Sequence, residues 1–340
     1  MRYMPYGTLV ALVLLSACQE DLILNADLPE PDAELVVSGL FEPDSPWTVY
    51  VNTNTPLVGT AAPEAVISAR VEILEGEQVI EALPFDKSLF LEALPFEGVT
   101  ATSGGTIARY RSQAQRPEVG KDYRIRVSAE GYDTVTGADV VPRRVPIIAS
   151  TFTDHVGTDE VGTLAEVRLS FDDPASETNY YNLRVHQRGF DKKNERVSGS
   201  QSWGFSVISD LQDDFFGADP DDFLGDGEIF EANEDGVTFS DVFFEGQQKE
   251  VVLQVRGGAA CGSVSQNDDS LVCQTVVELS AVTEAFYRYH RTLQFQNEAS
   301  ENPFAEPVSI MSNLNNGMGI FAGYNTALWI HERPYGRIDG

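Results

Sequence analysis

Leu15-Ser16-Ala17-Cys18 is the one short run whose residue types and order specify a covalent chemistry. Small residues at 16 and 17 present a cysteine directly after an apolar stretch. This is the arrangement of a bacterial lipobox, in which the thiol is acylated, the leader is cut, and Cys18 becomes the first residue of a lipid-anchored chain. Arg2 supplies the positive end of the leader and Thr8 to Leu15 its mostly apolar middle. That middle is about half of the roughly 20 residues a membrane-crossing helix needs, so residues 1–17 read as a cleaved signal. An ordinary signal peptide with an incidental cysteine is the competing reading.

Two further groups of residues have the chemistry of a site. Cys261 and Cys273 flank a turn-rich run between two β-prone segments. In an exported chain such a pair reads as a disulfide stapling a hairpin; no other cysteine and no nearby histidine completes a zinc site. Asp219-Pro220-Asp221-Asp222-Phe223-Leu224-Gly225-Asp226-Gly227-Glu228 lies inside an acidic insert, residues 210–235, that holds eleven carboxylates. Calcium takes about six to eight oxygens at short range, and Asp219, Asp221, Asp222, Asp226 and Glu228 offer several of them. The spacing departs from the EF-hand, so a solvated or partner-facing loop competes with the calcium reading. Phe215, Phe216, Phe223 and Phe230, interleaved with the acids, favour a partner surface.

No enzyme is indicated. His155, His186, His290 and His331 include no pair at metal-ligand spacing. His331-Glu332-Arg333-Pro334-Tyr335 begins like a zinc-protease helix, but it lacks the second histidine and carries a proline where that helix must run. There is no Gly-x-Ser-x-Gly elbow. The glycines of Gly317-Met318-Gly319-Ile320-Phe321-Ala322-Gly323 miss the dinucleotide spacing and precede a strand, so they read as turn and close-packing positions.

The elements that would position these groups are strands. Leu35–Leu40, Trp47–Val51, Val66–Leu74, Tyr123–Ser128 and Thr134–Thr136 carry strand character, with Tyr123, Ile125 and Val127 facing one way. Together they predict an immunoglobulin- or transthyretin-like β-sandwich over 34–145, after a tether at 18–33. A second β-rich domain over 146–340 opens with Ala165–Phe171 and Asn179–Val185. It continues with Val251–Val255, Thr275–Leu279, Ile320–Tyr324 and Thr326–Ile330. One amphipathic helix is expected, capped by Ser280, with Val282, Phe286, Tyr289 and Leu293 on one face. The expected class is all-β. The chain has 53 acidic and 23 basic residues, a formal charge of −30. That balance argues against nucleic acid as a partner, because phosphate binding needs lysine and arginine.

Four runs occur in an order that resembles a known family. They are Glu34-Leu35-Val36-Val37-Ser38-Gly39; Asp173-Pro174 with Asn179-Tyr180-Tyr181; Asn302-Pro303-Phe304-Ala305-Glu306-Pro307; and Ser312 to Tyr324. With the lipobox they resemble the Bacteroidota outer-membrane lipoprotein family known as domain-of-unknown-function 4249. Gln19-Glu20-Asp21, beside the anchor, resembles the export signal that carries such lipoproteins to the outer face of the outer membrane. The resemblance implies a membrane-anchored binding accessory to a TonB-dependent receptor, in nutrient or metal-complex uptake, and supplies no catalytic residues. The alternative is a structural or adhesive surface protein with a calcium-stabilised acidic loop.

Overall fold

The structure is a computed structural model that describes residues 33–54, 63–87, 107–158, 163–202, 205–207, 231–232, 236–257, 271–301, 305–306 and 308–334. β1 (Leu35–Phe41) is buried at every second residue, with Leu35, Val37 and Phe41 inward, as a strand with one face on a core must be. After it come β2 (Thr48–Thr53), β3 (Arg70–Glu75), β4 (Gln78–Leu83), β5 (Ala108–Arg111), β6 (Asp122–Ser128) and β7 (Val135–Val140). β6 has the expected alternation, with Tyr123, Ile125 and Val127 buried. Residues 66–69, expected to belong to the strand ending at Leu74, stand outside it. The Tyr110 hydroxyl donates to the Val66 carbonyl at 2.7 Å and accepts the Ala69 N–H at 2.9 Å. A side chain there satisfies the backbone groups that a strand ladder would otherwise pair.

β8 (Ile147–Thr158), β9 (Thr163–Asp172), β10 (Tyr180–Asp191), β11 (Arg196–Ser202), β12 (Phe205–Val207) and β13 (Glu231–Ala232) follow. Next are β14 (Val237–Ser240), β15 (Gln248–Gly257), β16 (Leu271–Val282), α1 (Glu284–Glu301), β17 (Leu314–Asn315) and β18 (Met318–Pro334). An eight-stranded sheet runs β11-β10-β16-β18-β1-β2-β5, with β14 also on β10. Five-stranded sheets run β17-β7-β6-β3-β4 and β13-β12-β15-β9-β8. The first core is Val37, Trp47, Val49, Ile73, Tyr110, Tyr123 and Ile125, joined by Phe321 from β18. The second is Phe171, Tyr181, Leu183, Val237, Phe239, Leu253 and Leu279, with Trp329 of β18 packed against it. The chain is all-β, with one helix among the described residues and faces packed as in sandwiches.

β18 is a single strand where two were expected. Asn325, which lies between the two expected runs, donates from Nδ2 to the Pro142 carbonyl at 3.0 Å. The strand pairs parallel with β1, Val36 opposite Met318 through Phe41 opposite Gly323, and antiparallel with β16 along its remaining length. Asn313 fixes its start: Oδ1 accepts the Phe321 N–H at 3.0 Å and Nδ2 donates to the Phe321 carbonyl at 2.7 Å. Asn316 turns the chain between β17 and β18 at φ 58°, a left-handed conformation that asparagine tolerates.

Asp139, on β7, ties three elements together. Its carboxylate accepts from the Val140 N–H at 2.9 Å, the Gly323 N–H at 3.1 Å and the Thr283 hydroxyl. Burial outweighs these bonds and pushes the Asp139 carboxyl up to about 6. The folded chain therefore holds this proton more tightly than the unfolded chain. The site is most favourable to folding below about pH 4 and becomes less so as pH rises through about 6. Asp139→Asn removes the titration. Between about pH 4.5 and about pH 7.5, urea unfolding should show the wild type losing roughly 2 kcal/mol relative to the variant. A pH-independent difference would refute the buried carboxyl.

Candidate functional site

The eight-stranded sheet turns one face of β10, β16 and β18 toward the second core and leaves the other to polar side chains. On β10, Tyr181, Leu183 and Val185 are in the core, and Asn182 and Arg184 alternate with them on the opposite face. On β16, Glu278 and Ser280 alternate with Val277, Leu279 and Ala281. The register aligns these residues in rows: Asn182, Ser280 and Thr326, then Arg184, Glu278 and Leu328. Each row joins β10 to β16, about a hundred residues further along the chain, and then to β18, about fifty beyond that.

α1 lies over one end of this face. It begins at Thr283, whose Oγ1 accepts the Phe286 N–H at 3.4 Å, and Glu284 stands in the first turn, where the helix dipole favours an acid. Ser280, the expected cap, is instead a β16 residue whose hydroxyl lies 2.8 Å from that of Thr326. Val282 likewise ends β16, and no turn residue separates strand from helix. Phe286 is buried against Val282, Ile320 and Ala322, and His290 packs on it with ring centroids 4.2 Å apart.

Between the helix and the sheet lies a cleft of about 380 Å³. Asn182, Arg184, Glu278, Ser280, Thr326 and Leu328 line it from the sheet, Phe286 and His290 from the helix. Leu40, Glu42 and Tyr324 complete the wall. Burial, reinforced by the Glu42 carboxylate that accepts its proton, pushes the Tyr324 phenol well above its ordinary value. Glu42 also accepts from the Ser45 hydroxyl at 3.0 Å. Glu278 is placed differently. It lies 3.6 Å from Arg184 Nη1 and 3.7 Å from His186 Nδ1, beyond ordinary hydrogen-bond length. Burial holds His186 below its ordinary value, against the pull of Glu278, so the imidazole is neutral at pH 7.

The match to a protein-family model is extensive: the model described as Domain of unknown function (DUF4249) aligns with residues 23–328. The chain belongs to this family. A comparison with curated proteins finds no match. Two of the DUF4249 chain's distinguishing runs have structural work. Asp173 accepts the Tyr181 hydroxyl and, at 2.7 Å, the Gly246 N–H. The Asn179 N–H and side-chain amide bond the Asp241 carboxylate at 2.8 and 3.0 Å. Burial raises the Asp241 carboxyl above its ordinary value, with the Asn179 bonds opposing. These bonds pin the corner between β9 and β10, and the Ser312–Tyr324 run threads β18 into the sheet. Asn302–Phe304 and Pro307 lie outside the described residues.

The expected site residues of this DUF4249 protein separate into two groups. Cys273 sits on β16, 1% exposed and disulfide-bonded. Cys18, Cys261, Asp219, Asp221, Asp222, Asp226 and Glu228 lie outside the described residues. Among the described residues no cluster of three or more histidine, cysteine, aspartate or glutamate side chains could hold a metal ion, and no helix is long and apolar enough to cross a membrane. His331 lies on β18, in a strand that continues to Pro334, its Nε2 3.0 Å from the Ser150 hydroxyl. The cleft residues Arg184 and Glu278 were not singled out by the sequence reading. Their only local signal is a charged side chain set between two apolar ones: Arg184 between Leu183 and Val185, Glu278 between Val277 and Leu279.

Proposed function

We propose that this DUF4249 chain is a lipid-anchored binding protein of the outer membrane, facing the cell exterior, that assists a TonB-dependent receptor in taking up a nutrient or metal complex. The observation that carries the reading is Leu15-Ser16-Ala17-Cys18 beside the acidic run Gln19-Glu20-Asp21. The family's resemblance to receptor-associated lipoproteins supports the partner. A cleft with convergent polar side chains supports binding as the activity, and the charge of −30 suits an ectodomain in water.

Anchor and partner are tested separately. Metabolic labelling with palmitate should mark the wild type, and Cys18→Ser should lose both the label and the membrane fraction. An unlabelled wild type would remove the anchor. Affinity purification of the tagged lipoprotein from native outer membranes in mild detergent should bring down a β-barrel receptor in stoichiometric amount. Recovery of the lipoprotein alone would remove the receptor partnership.

A further inference from the structure

We infer that the cleft beneath α1 is a saccharide site, taking a neutral, polyhydroxylated ligand of one to two sugar rings. The inference rests on the reading of the chain as a binding protein and names the ligand class. Its size fits: about 380 Å³ lies within the roughly 300–1,000 Å³ of small-molecule pockets.

The charges in the cleft, one guanidinium and two carboxylates, already have partners. Arg184 stands opposite Glu278, and Glu42 is engaged by the hydroxyls of Tyr324 and Ser45. An anion would meet two carboxylates and a cation would meet the guanidinium, each at a cost in a partly buried site. What remains unsaturated is hydrogen-bonding capacity of both signs. The Arg184–Glu278 pair, held at 3.6 Å, leaves carboxylate lone pairs and guanidinium protons facing the same space. Ser280 and Thr326 add hydroxyls on the floor. A hydroxyl is the ligand group that donates to Glu278 and accepts from Arg184 at once, and adjacent hydroxyls can meet the two rows together.

The rest of the wall suits the other face of a sugar. Tyr324 is only half-buried in the wall, and Leu328 is 56% exposed at the mouth. The slightly positive C–H edge of a pyranose is attracted to the negative face of an aromatic ring.

The test is saturation-transfer NMR on the full-length lipoprotein, purified in a detergent without a sugar headgroup. D-glucose, D-galactose, N-acetyl-D-glucosamine and maltose are the probes; L-leucine is the zwitterionic control and cadaverine the cationic one. Transfer to ring protons of at least one saccharide is expected. It should weaken at least about tenfold in Glu278→Gln, which loses a charge-assisted hydrogen bond. Leu328→Arg, at an exposed position, should obstruct the mouth with the melting temperature unchanged and weaken binding as much. Binding of leucine or cadaverine alone would overturn the ligand class and leave a binding protein. Saccharide signals equal in wild type and both variants would place binding elsewhere and overturn the site. Silence from every probe would overturn the proposal, while the receptor co-purification would still report on the accessory role.

Discussion

Gly323→Ala is expected to abolish stable folding. A Cβ at this position would stand 2.0 Å from the Val140 carbonyl oxygen and 2.9 Å from its carbon, both backbone atoms that cannot rotate away. The same displacement would pull the Gly323 N–H from Asp139. Gly319→Ala meets a similar obstacle, 2.1 Å from the Val37 carbonyl oxygen, at a φ of +109° that only glycine adopts without strain. Each substitution should cost about 4 kcal/mol or more, against a total stability for natural domains of roughly 5–15 kcal/mol. Gly157 is the control, since a Cβ there meets nothing within 4 Å, and Gly157→Ala should stay within about 1 kcal/mol of wild type. Urea unfolding monitored by tryptophan fluorescence separates the cases. A Gly323→Ala protein as stable as the Gly157→Ala control would show that β18 does not thread where it is described.

Asp173→Ala should have the second largest effect. The carboxylate is 6% exposed and Tyr181 fully buried, and removing the acceptor strands both the tyrosine hydroxyl and the Gly246 N–H. Each orphaned donor costs about 1–3 kcal/mol, so roughly 2–5 kcal/mol is expected. Tyr181→Phe removes a partner without stranding the Gly246 N–H and should cost less. In the Asp173→Ala background the same tyrosine change should recover stability, because it removes an orphan hydroxyl. Additive losses in the double variant would mean that the two groups do not interact.

The strand pattern was legible where one face meets a core, as in β6, because alternation is a local property. The helix was legible too, but its start was not: β16 runs to Val282 with no glycine or proline to mark its end, and Ser280 and Thr283 are chemically equivalent candidates for the cap. What separates them is the Thr283 bond to Asp139, a residue 144 positions away. The continuity of β18 through Asn325 was hidden for a similar reason, since the partner of that side chain is the distant Pro142 carbonyl. The cleft was the least legible part. Arg184 and Glu278 are unremarkable in their own segments and become a pair through the β10–β16 register, which no local pattern contains. Both cysteines were visible as a candidate pair, and Cys273 is oxidised in the structure.

The placement of β18 also bears on how this chain is made. Its residues lie in the centre of the eight-stranded sheet, between β16 and β1, and β1 can pair with Met318–Gly323 only after the nearly three hundred residues between them have been made. A polypeptide that emerges from its N-terminus first therefore keeps an open sheet until β18 has emerged. Contacts so distant in sequence make folding slow, and slow closure with exposed strand edges invites aggregation. A fold completed by the last of its described strands therefore leaves a long interval in which a chaperone can hold the open sheet.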